Sequence, residues 1–217
     1  MHNGKPGLSE FVFAEQKKRM FSLIMTAIFL ILSPRIAHAH PHVFIDQRVA
    51  IVFGDKGLEG FKIRWTFDEM FSVMISDSYD KDKNGVFGES EVETIKKEAF
   101  SNLSEYDYFT FIKMDQKPFD VTSVRDFSAT LNDKKKMIYE FFVPCRAAAG
   151  NNFKKISVAT YDPTYYTAIY FTKERPVSLD NSELFEVKTA IKEDQSTSLY
   201  NNTANPWALF LDFRKKK

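Results

Sequence analysis

The strongest chemical pattern in the chain is a twelve-residue run of oxygen-bearing side chains. Residues 80–91 read Asp-Lys-Asp-Lys-Asn-Gly-Val-Phe-Gly-Glu-Ser-Glu and match the calcium-loop pattern D-x-[DN]-x-[DN]-G-x5-E at every defined position. In such loops, side-chain oxygens bind at positions one, three and five, a backbone carbonyl binds at position seven, and a bidentate glutamate binds at position twelve. The sequence therefore predicts a Ca²⁺ site whose ligands are Asp80, Asp82, Asn84, the Val86 carbonyl and Glu91.

The other positions of this loop agree with the same chemistry. Gly85 allows a sharp turn that a residue with a Cβ resists, and Phe87 is expected to pack inward. Hard oxygen ligands favour Ca²⁺ over transition metals, and a bidentate Glu91 gives more ligands than Mg²⁺ takes. The alternative is a polar loop that only turns the chain. Because the sequence has no second loop of this kind, we expect a structural role rather than a regulatory one.

The first 39 residues carry the pattern of a leader for export. Lys17-Lys18-Arg19 is basic, residues 21–32 are apolar and uncharged, and Ala37-His38-Ala39 fits the A-x-A cleavage rule. We therefore predict a signal peptide over residues 1–39 and a single periplasmic domain over residues 40–217. The alternative is an uncleaved N-terminal anchor.

Cleavage after Ala39 would place two histidines at the new N-terminus. The α-amine and the imidazoles of His40 and His42 would then lie within three residues, and such nitrogens suit Zn²⁺, Ni²⁺, Co²⁺ or Cu²⁺. Pro41 has no amide proton, which excludes a square-planar site built on deprotonated backbone amides. The alternative is a frayed terminus with two solvated histidines.

Composition limits the remaining classes of function. A formal charge of +1 gives no electrostatic reason to expect a nucleic-acid partner. One cysteine, Cys145, rules out an internal disulfide framework or a cysteine-rich metal site, and its apolar neighbours predict that it is buried. The aromatic share of 15% suits packing on the faces of sheets.

Two further segments could do chemistry but have simpler explanations. Asp68 and Glu69 could form an acid–base pair, although Asp68 is also placed to be the N-cap of a helix, and carboxylates at a helix start are common for electrostatic reasons. Residues 161–166, Tyr-Asp-Pro-Thr-Tyr-Tyr, could present aromatic rings to a ligand, but they also suit a turn with packed aromatics. We expect no enzymatic activity. An enzyme with copper bound at the terminal histidines is a minor alternative.

The periodicity of the apolar residues predicts the elements that hold these groups. Residues 43–53 and 61–67 alternate as two strands of a hairpin around a turn at 54–57, whereas residues 68–103 carry helical spacing on both sides of the acidic loop. The pattern predicts a mainly β (α+β) fold: an antiparallel sandwich or partly open barrel with an inserted EF-hand-like helix–loop–helix at 68–103. Further strands are expected at 106–114, 119–131, 137–143, 155–161 and 165–171, and the last two are expected to pair with each other. One more strand is expected within 177–187. Residues 206–213 are apolar and are expected to dock on the body of the domain.

Four segments in this order resemble the domain-of-unknown-function 1007 family of exported bacterial proteins. They are His40-Pro41-His42-Val43-Phe44, Trp65-Thr66-Phe67-Asp68-Glu69, the loop at 80–91, and residues 161–166. The resemblance implies a periplasmic protein that is labelled a component of an ABC-type transport system, and members occur in connection with metal-ion permeases. A two-lobed solute receptor is not expected, since the chain is short and shows no duplicated α/β lobe.

These observations together predict a metal-binding accessory protein of a metal-ion transport system. Its expected partner is an inner-membrane metal-ion permease or ABC transporter, and no stable membrane insertion is expected after cleavage. The alternative is a non-catalytic scaffold or interaction module whose only metal is structural calcium.

Overall fold

The computed structural model describes residues 17–25, 41–200 and 203–216. The chain divides into two units, Met1–His38 and Ala39–Lys217. In the first unit, residues 17–25 form a helix. None of the helices in the three described ranges combines the length and the apolar character that crossing a bilayer requires. The predicted cleavage site after Ala39 lies outside the described residues.

Eleven strands form the two sheets in the described part of the second unit. In chain order they are β1 Val43–Gly54, β2 Gly57–Phe67, β3 Thr110–Met114, β4 Lys117–Phe119, β5 Arg125–Leu131, β6 Met137–Ala148, β7 Lys154–Thr160, β8 Thr167–Phe171, β9 Val177–Asp180, β10 Phe185–Glu193 and β11 Trp207–Lys215.

A helical insertion separates β2 from β3. It consists of α1, Glu69–Tyr79, and α2, Glu89–Ile95, followed by a π-helical turn, Lys96–Phe100, and a 3-10 segment, Ser101–Phe109. The two helices flank the acidic loop as the sequence predicts. The 3-10 segment ends at Phe109, six residues beyond the predicted end at residue 103, but Tyr106, Asp107 and Tyr108 within it have non-helical backbone angles.

The strands form two sheets. The first has the order β5-β6-β2-β1-β8, with β9 also pairing with β1, and the second has the order β10-β11-β7-β3-β4. All pairs are antiparallel except β1 with β8 and β1 with β9, which are parallel. The mainly β, sandwich-like α+β prediction is therefore confirmed, and neither sheet closes into a barrel in the part of the chain that the structure describes.

One predicted strand pair is wrong. Residues 155–161 and 165–171 were expected to form neighbouring strands, but β7 belongs to the second sheet and β8 to the first. The intervening turn redirects the chain between the sheets, because the buried carboxylate of Asp162 accepts hydrogen bonds from the backbone N–H groups of Thr164 and Thr167 at 2.7 and 2.9 Å.

Three other predicted boundaries also differ from the structure. The segment 119–131 holds the end of β4 and all of β5 rather than one strand, and residues 177–187 span β9 and the start of β10. The strand predicted at 106–114 begins only at Thr110, because Asp107, Tyr108 and Phe109 have positive φ values of 51–53°. Consecutive left-handed residues cannot continue a strand and cost about 1–2 kcal/mol each. The predicted docking segment 206–213 forms most of β11, between β10 and β7.

The core lies between the two sheets. Alternate residues of β1 and β2 point inward, and the largest fully buried side chains are aromatic, among them Trp65, Phe53, Phe61, Phe141 and Phe213. On the opposite face of the first sheet, Glu140 pairs with Arg64 at 3.1 Å. This two-faced pattern is the physical basis of the alternation in the sequence.

The single cysteine is buried and free, as expected. Burial raises the pKa of the Cys145 thiol to about 12, so the thiolate that binds metals and attacks electrophiles is suppressed. We therefore assign Cys145 a packing role.

A buried hydrogen-bond chain joins the two sheets. The indole Nε1 of Trp65 donates to Oε1 of Gln47 at 3.0 Å, and Nε2 of Gln47 donates to Oγ1 of Thr160 at 2.6 Å. Gln47 is fully buried on the inner face of β1, and Thr160 ends β7 in the other sheet. The chain satisfies polar groups that would otherwise be costly inside the core.

Replacing Thr160 by valine should destabilise the protein. Valine keeps the shape but leaves Nε2 of Gln47 buried without its acceptor, which costs about 1–3 kcal/mol. Urea unfolding followed by tryptophan fluorescence measures the change. Thr189→Val is the matched control, because Thr189 is an exposed strand residue, and it should change stability by less than about 0.5 kcal/mol. Equal stabilities for the two variants would contradict a sheet-joining role for Gln47.

Candidate metal centre

The first helix of the insertion is fixed at its start by Asp68. Its Oδ1 accepts the N–H of Phe71 at 2.9 Å, which makes Asp68 the N-cap of α1 as the sequence predicts, and its Oδ2 accepts the N–H of Phe44 at 2.7 Å. Both oxygens are therefore used structurally, and the neighbouring Glu69 is exposed in the first helical turn. The arrangement favours capping over an acid–base pair.

The acidic loop begins where α1 ends and closes at the start of α2. Asp80 is the C-cap of α1, and Gly88 is the N-cap of α2. Glu91, in the first turn of α2, reaches back so that its Oε2 accepts the N–H of Gly88 at 2.9 Å. This contact satisfies an N-terminal donor of the helix and fixes the direction of the Glu91 carboxylate.

Three carboxylates converge in this loop. One oxygen from each of Asp80, Asp82 and Glu91 can be chosen so that all three lie within 4.8 Å of one another. Oxygen ligands sit 2.3–2.6 Å from Ca²⁺, so two ligands of the same ion lie at most about 5 Å apart. The spacing of these carboxylates therefore fits a single calcium ion, and it is the only such group of three in the described ranges.

Backbone N–H groups hold the carboxylates in place. Asp80 accepts from the N–H groups of Asn84 and Gly85 at 3.1 and 2.9 Å, and Oε1 of Glu91 accepts from Lys81 at 2.6 Å. Gly85 has a φ of +77°, and a Cβ there would lie 2.8 Å from Nζ of Lys135. The turn at position six therefore favours glycine because of its backbone conformation, whereas the Nζ of Lys135 ends a flexible side chain that can move aside.

The two remaining predicted ligands, the Asn84 amide and the Val86 carbonyl, are not carboxylates. The amide nitrogen of Asn84 donates to Oδ2 of Asp82 at 2.7 Å, and its amide oxygen accepts the N–H of Val86 at 2.7 Å. An amide oxygen that accepts one hydrogen bond keeps a second lone pair, so this contact leaves Asn84 able to serve as a ligand. Phe87 is buried against the core, in agreement with the inward packing expected of it.

The electrostatics of the cluster favour a cation. Two unit charges 4.8 Å apart repel by about 1 kcal/mol even in bulk water, and three carboxylates form three such pairs. Lys81 and Lys83 lie in the loop, but the Nζ of Lys81 donates to the carbonyl of Ser78 at 2.6 Å. A divalent ion bound to all three carboxylates would remove the repulsion.

The two histidines are placed differently from the acidic loop. His40 lies outside the described residues. His42 is exposed, its N–H donates to the carbonyl of Tyr166 at 2.8 Å, and its ring centroid lies 5.1 Å from that of Tyr166. Within the described part of the chain, His42 belongs to no group of three or more candidate metal ligands.

The aromatic segment 161–166 serves mainly as the turn described above. Asp162 is only 2% exposed, and the hydroxyl of Tyr200 donates to its carbonyl at 2.9 Å. Tyr165 and Tyr166 remain 40% and 56% exposed, so their rings are accessible. The sequence is compatible with both a packed turn and an aromatic surface for a ligand. The structure shows the turn, and the rings of Tyr165 and Tyr166 also remain accessible at the surface.

Sequence reasoning missed two buried polar residues. Gln47 occupies an apolar position of β1, and Tyr139 lies within the apolar run of β6. A polar residue at an inward-facing position of an apolar strand pattern indicates a buried group that needs a hydrogen-bond partner. That indication was present at both positions.

A family model described as "Protein of unknown function (DUF1007)" matches residues 25–207. The chain belongs to the DUF1007 family. The resemblance expected from the four segments is thereby confirmed at the level of the family. The match covers the acidic loop, both histidines and the segment 161–166.

Two curated proteins of this kind are similar to the chain. An "Uncharacterized 15.5 kDa protein in trpE 3'region" of Spirochaeta aurantia is 31% identical over 133 residues, which cover 61% of this chain and 94% of that protein. An "Uncharacterized protein" of Haemophilus influenzae is 28% identical over 140 residues, which cover 64% of this chain and 66% of that protein. Their names assign no activity.

Replacing Glu91 by glutamine should abolish calcium-dependent stabilisation. The change removes one negative charge and the bidentate carboxylate while keeping the size of the side chain. Thermal unfolding with and without Ca²⁺ measures the effect. Glu89→Gln is the matched control, because Glu89 is an exposed carboxylate in the same helical turn but outside the cluster, and it should keep the calcium response. A calcium response that survives in Glu91→Gln would contradict the ligand assignment.

Proposed function

We propose that this chain is a periplasmic calcium-binding accessory protein of a metal-ion transport system. The observation that carries the calcium part is the convergence of Asp80, Asp82 and Glu91 within one ion's reach. Asn84 and the Val86 carbonyl would complete the ligand set, with water in the direction of Gly88. Hard oxygen donors in this number suit Ca²⁺, which tolerates flexible geometry.

The calcium ion would act as a structural bridge. Asp80 caps the end of α1, and Glu91 belongs to the first turn of α2, so one ion bound to both fixes the two helices relative to each other. With three carboxylates and a water-mediated position, we expect a Kd of about 10⁻⁴–10⁻³ M, in the range of extracellular modules. The site is half filled when free calcium equals this Kd, so it would be mostly filled only where calcium outside the cytosol exceeds that concentration.

The transition-metal part of the proposal rests on the terminal histidines. Two residues span at most about 7 Å, so a new N-terminus at His40 keeps its amine and imidazole close to His42. The backbone of His42 is hydrogen-bonded to Tyr166, which would present this chelate at the start of β1. The accessory would pass Zn²⁺, Ni²⁺, Co²⁺ or Cu²⁺ to an inner-membrane permease or ABC transporter.

The scaffold alternative has its own support. His42 is exposed and packs beside the Tyr166 ring, an arrangement that needs no metal. In that case calcium is the only metal, and the protein acts through contacts with other proteins.

Calcium should raise the melting temperature of the mature protein. At about 10 mM Ca²⁺ and the Kd given above, binding stabilises the folded state by about 1.4–2.7 kcal/mol, which corresponds to a shift of about 3–10 °C. Differential scanning calorimetry after EGTA treatment measures this shift, with Mg²⁺ at the same concentration as the comparison. The absence of any shift with calcium would overturn the calcium assignment.

The terminal chelate has a separate test. Intact mass of the exported protein gives the first residue, and titration with Cu²⁺, Ni²⁺ and Zn²⁺ is compared with a form that carries one additional N-terminal residue. We expect tighter binding by the form that begins at His40, because the added residue moves the amine away from the imidazole. Equal, weak binding by both forms would favour the scaffold.

A further inference from the structure

A second candidate site lies between the helical insertion and the first sheet. It is a cleft of about 500 Å³, bounded by α1, by the π-helical and 3-10 segments, and by the start of β1 and the end of β2. Cavities of 300–1,000 Å³ are typical of small-molecule sites. The acidic loop joins the two helices at one side but contributes no residue to the cleft wall.

The walls of the cleft are mainly apolar and aromatic. Trp65, Phe67 and Phe71 lie on the side of β2 and α1, and Leu103, Tyr106 and Phe109 lie on the other side. Aromatic walls suit flat ring systems, which they contact by stacking and by edge-to-face packing. A polypeptide segment would need a longer groove, so the size favours a compact ligand.

The charge of the cleft selects against an ionised ligand. Asp162 is the only ionisable carboxylate or cation among the described lining residues. Its Oδ1 accepts from the N–H and hydroxyl of Thr164, and its Oδ2 accepts from the N–H of Thr167. Because this carboxylate is already satisfied, the cleft offers no counter-ion to an anion and no free carboxylate to a cation.

One polar group in the cleft has no partner. Tyr139 lines the cleft and is only 2% exposed, yet its hydroxyl is the one buried side-chain polar atom in the described ranges that hydrogen-bonds nothing. Burial, and then the neighbouring Tyr79, raise the pKa of Tyr139, so the group stays a neutral phenol that can both donate and accept. Buried polar atoms without partners are rare in folded proteins, and each calls for a physical explanation.

The hydroxyl lies below the solvent-accessible surface of the cleft. A ligand therefore reaches it only when a neighbouring side chain moves. Met74 forms part of the wall and is 53% exposed, and methionine changes rotamer at low cost. Met74 is therefore a wall side chain that a ligand could displace.

We propose that this cleft binds a neutral, flat, apolar molecule that carries one hydrogen-bonding group, such as a hydroxyl or carbonyl, paired with the Tyr139 hydroxyl. The proposal does not depend on the acidic loop or on the terminal histidines.

The first experiment locates binding of an apolar probe. N-phenyl-1-naphthylamine, a neutral dye that fluoresces in apolar surroundings, is titrated into the full mature protein in EGTA. We expect saturable binding with one dye per protein, reduced at least tenfold in affinity by Leu103→Arg, which places a charge in the cleft. Leu184→Arg is the matched control, because Leu184 is 61% exposed outside the cleft, and it should bind as the wild type does.

The second experiment tests the polar anchor with a matched pair of ligands. We expect 1-naphthol to displace the dye about threefold to tenfold more effectively than 1-methylnaphthalene, which has the same rings without the hydroxyl. Tyr139→Phe should remove this difference while leaving the affinity for 1-methylnaphthalene unchanged. This variant should also melt at the same temperature as the wild type or higher, because it removes a buried hydroxyl without a partner.

Three results would overturn the proposal. They are no saturable dye binding, dye binding that Leu103→Arg leaves intact, and a preference for 1-naphthol that persists in Tyr139→Phe. Each titration in EGTA is repeated with saturating Ca²⁺. Absence of saturable dye binding in both conditions overturns the cleft proposal and does not decide the calcium assignment.

Discussion

The architecture of both candidate sites depends on aromatic packing between the helical insertion and the first sheet. The rings of Phe67 and Phe71 stack at 4.4 Å between centroids, which fixes α1 on the end of β2. Phe100, at the end of the π-helical turn, packs on Tyr139 and Phe141 of β6 at 5.9 and 5.1 Å. These contacts fix the segments on both sides of the acidic loop, so its carboxylates converge on a supported scaffold. Truncating one buried phenylalanine of this kind costs about 3–5 kcal/mol.

The local features that a single segment determines could be predicted from the sequence. The first hairpin, the N-cap at Asp68 and the helices around the loop all depend on residues close in the chain, where periodicity and turn chemistry are direct indications. The meeting of Asp80, Asp82 and Glu91 is of the same kind, because a twelve-residue loop with a glycine at its sixth position leaves the chain few other paths. The mainly β class followed from the number of short alternating segments.

Features that depend on long-range pairing could not be predicted in this way. Alternation within residues 155–161 and 165–171 indicates two strands, but not that they belong to different sheets, because the partners of β8 lie more than a hundred residues earlier, in β1. The left-handed backbone before Thr110 could not be predicted either. Glycine is the usual sequence sign of a positive φ, and Asp107, Tyr108 and Phe109 are not glycines. The cleft is formed by five separated parts of the chain, at residues 43–45, 65–79, 99–109, 139 and 162–167, and only the assembled sandwich brings Tyr139 beneath the helices.

The acidic loop and the cleft share the same two helical segments, which links them physically. Tyr79 lines the cleft and immediately precedes Asp80, while Ala99 lines it on the segment that continues from α2 beyond Glu91. An ion that fixes Asp80 relative to Glu91 therefore also restrains the two walls. A ligand can reach the Tyr139 hydroxyl only when a side chain of the cleft wall moves. Once bound, the ligand contacts both walls and holds them in place. By linkage, calcium affects ligand affinity only to the extent that the open and closed walls differ in calcium affinity, and the ligand affects calcium affinity by the same factor.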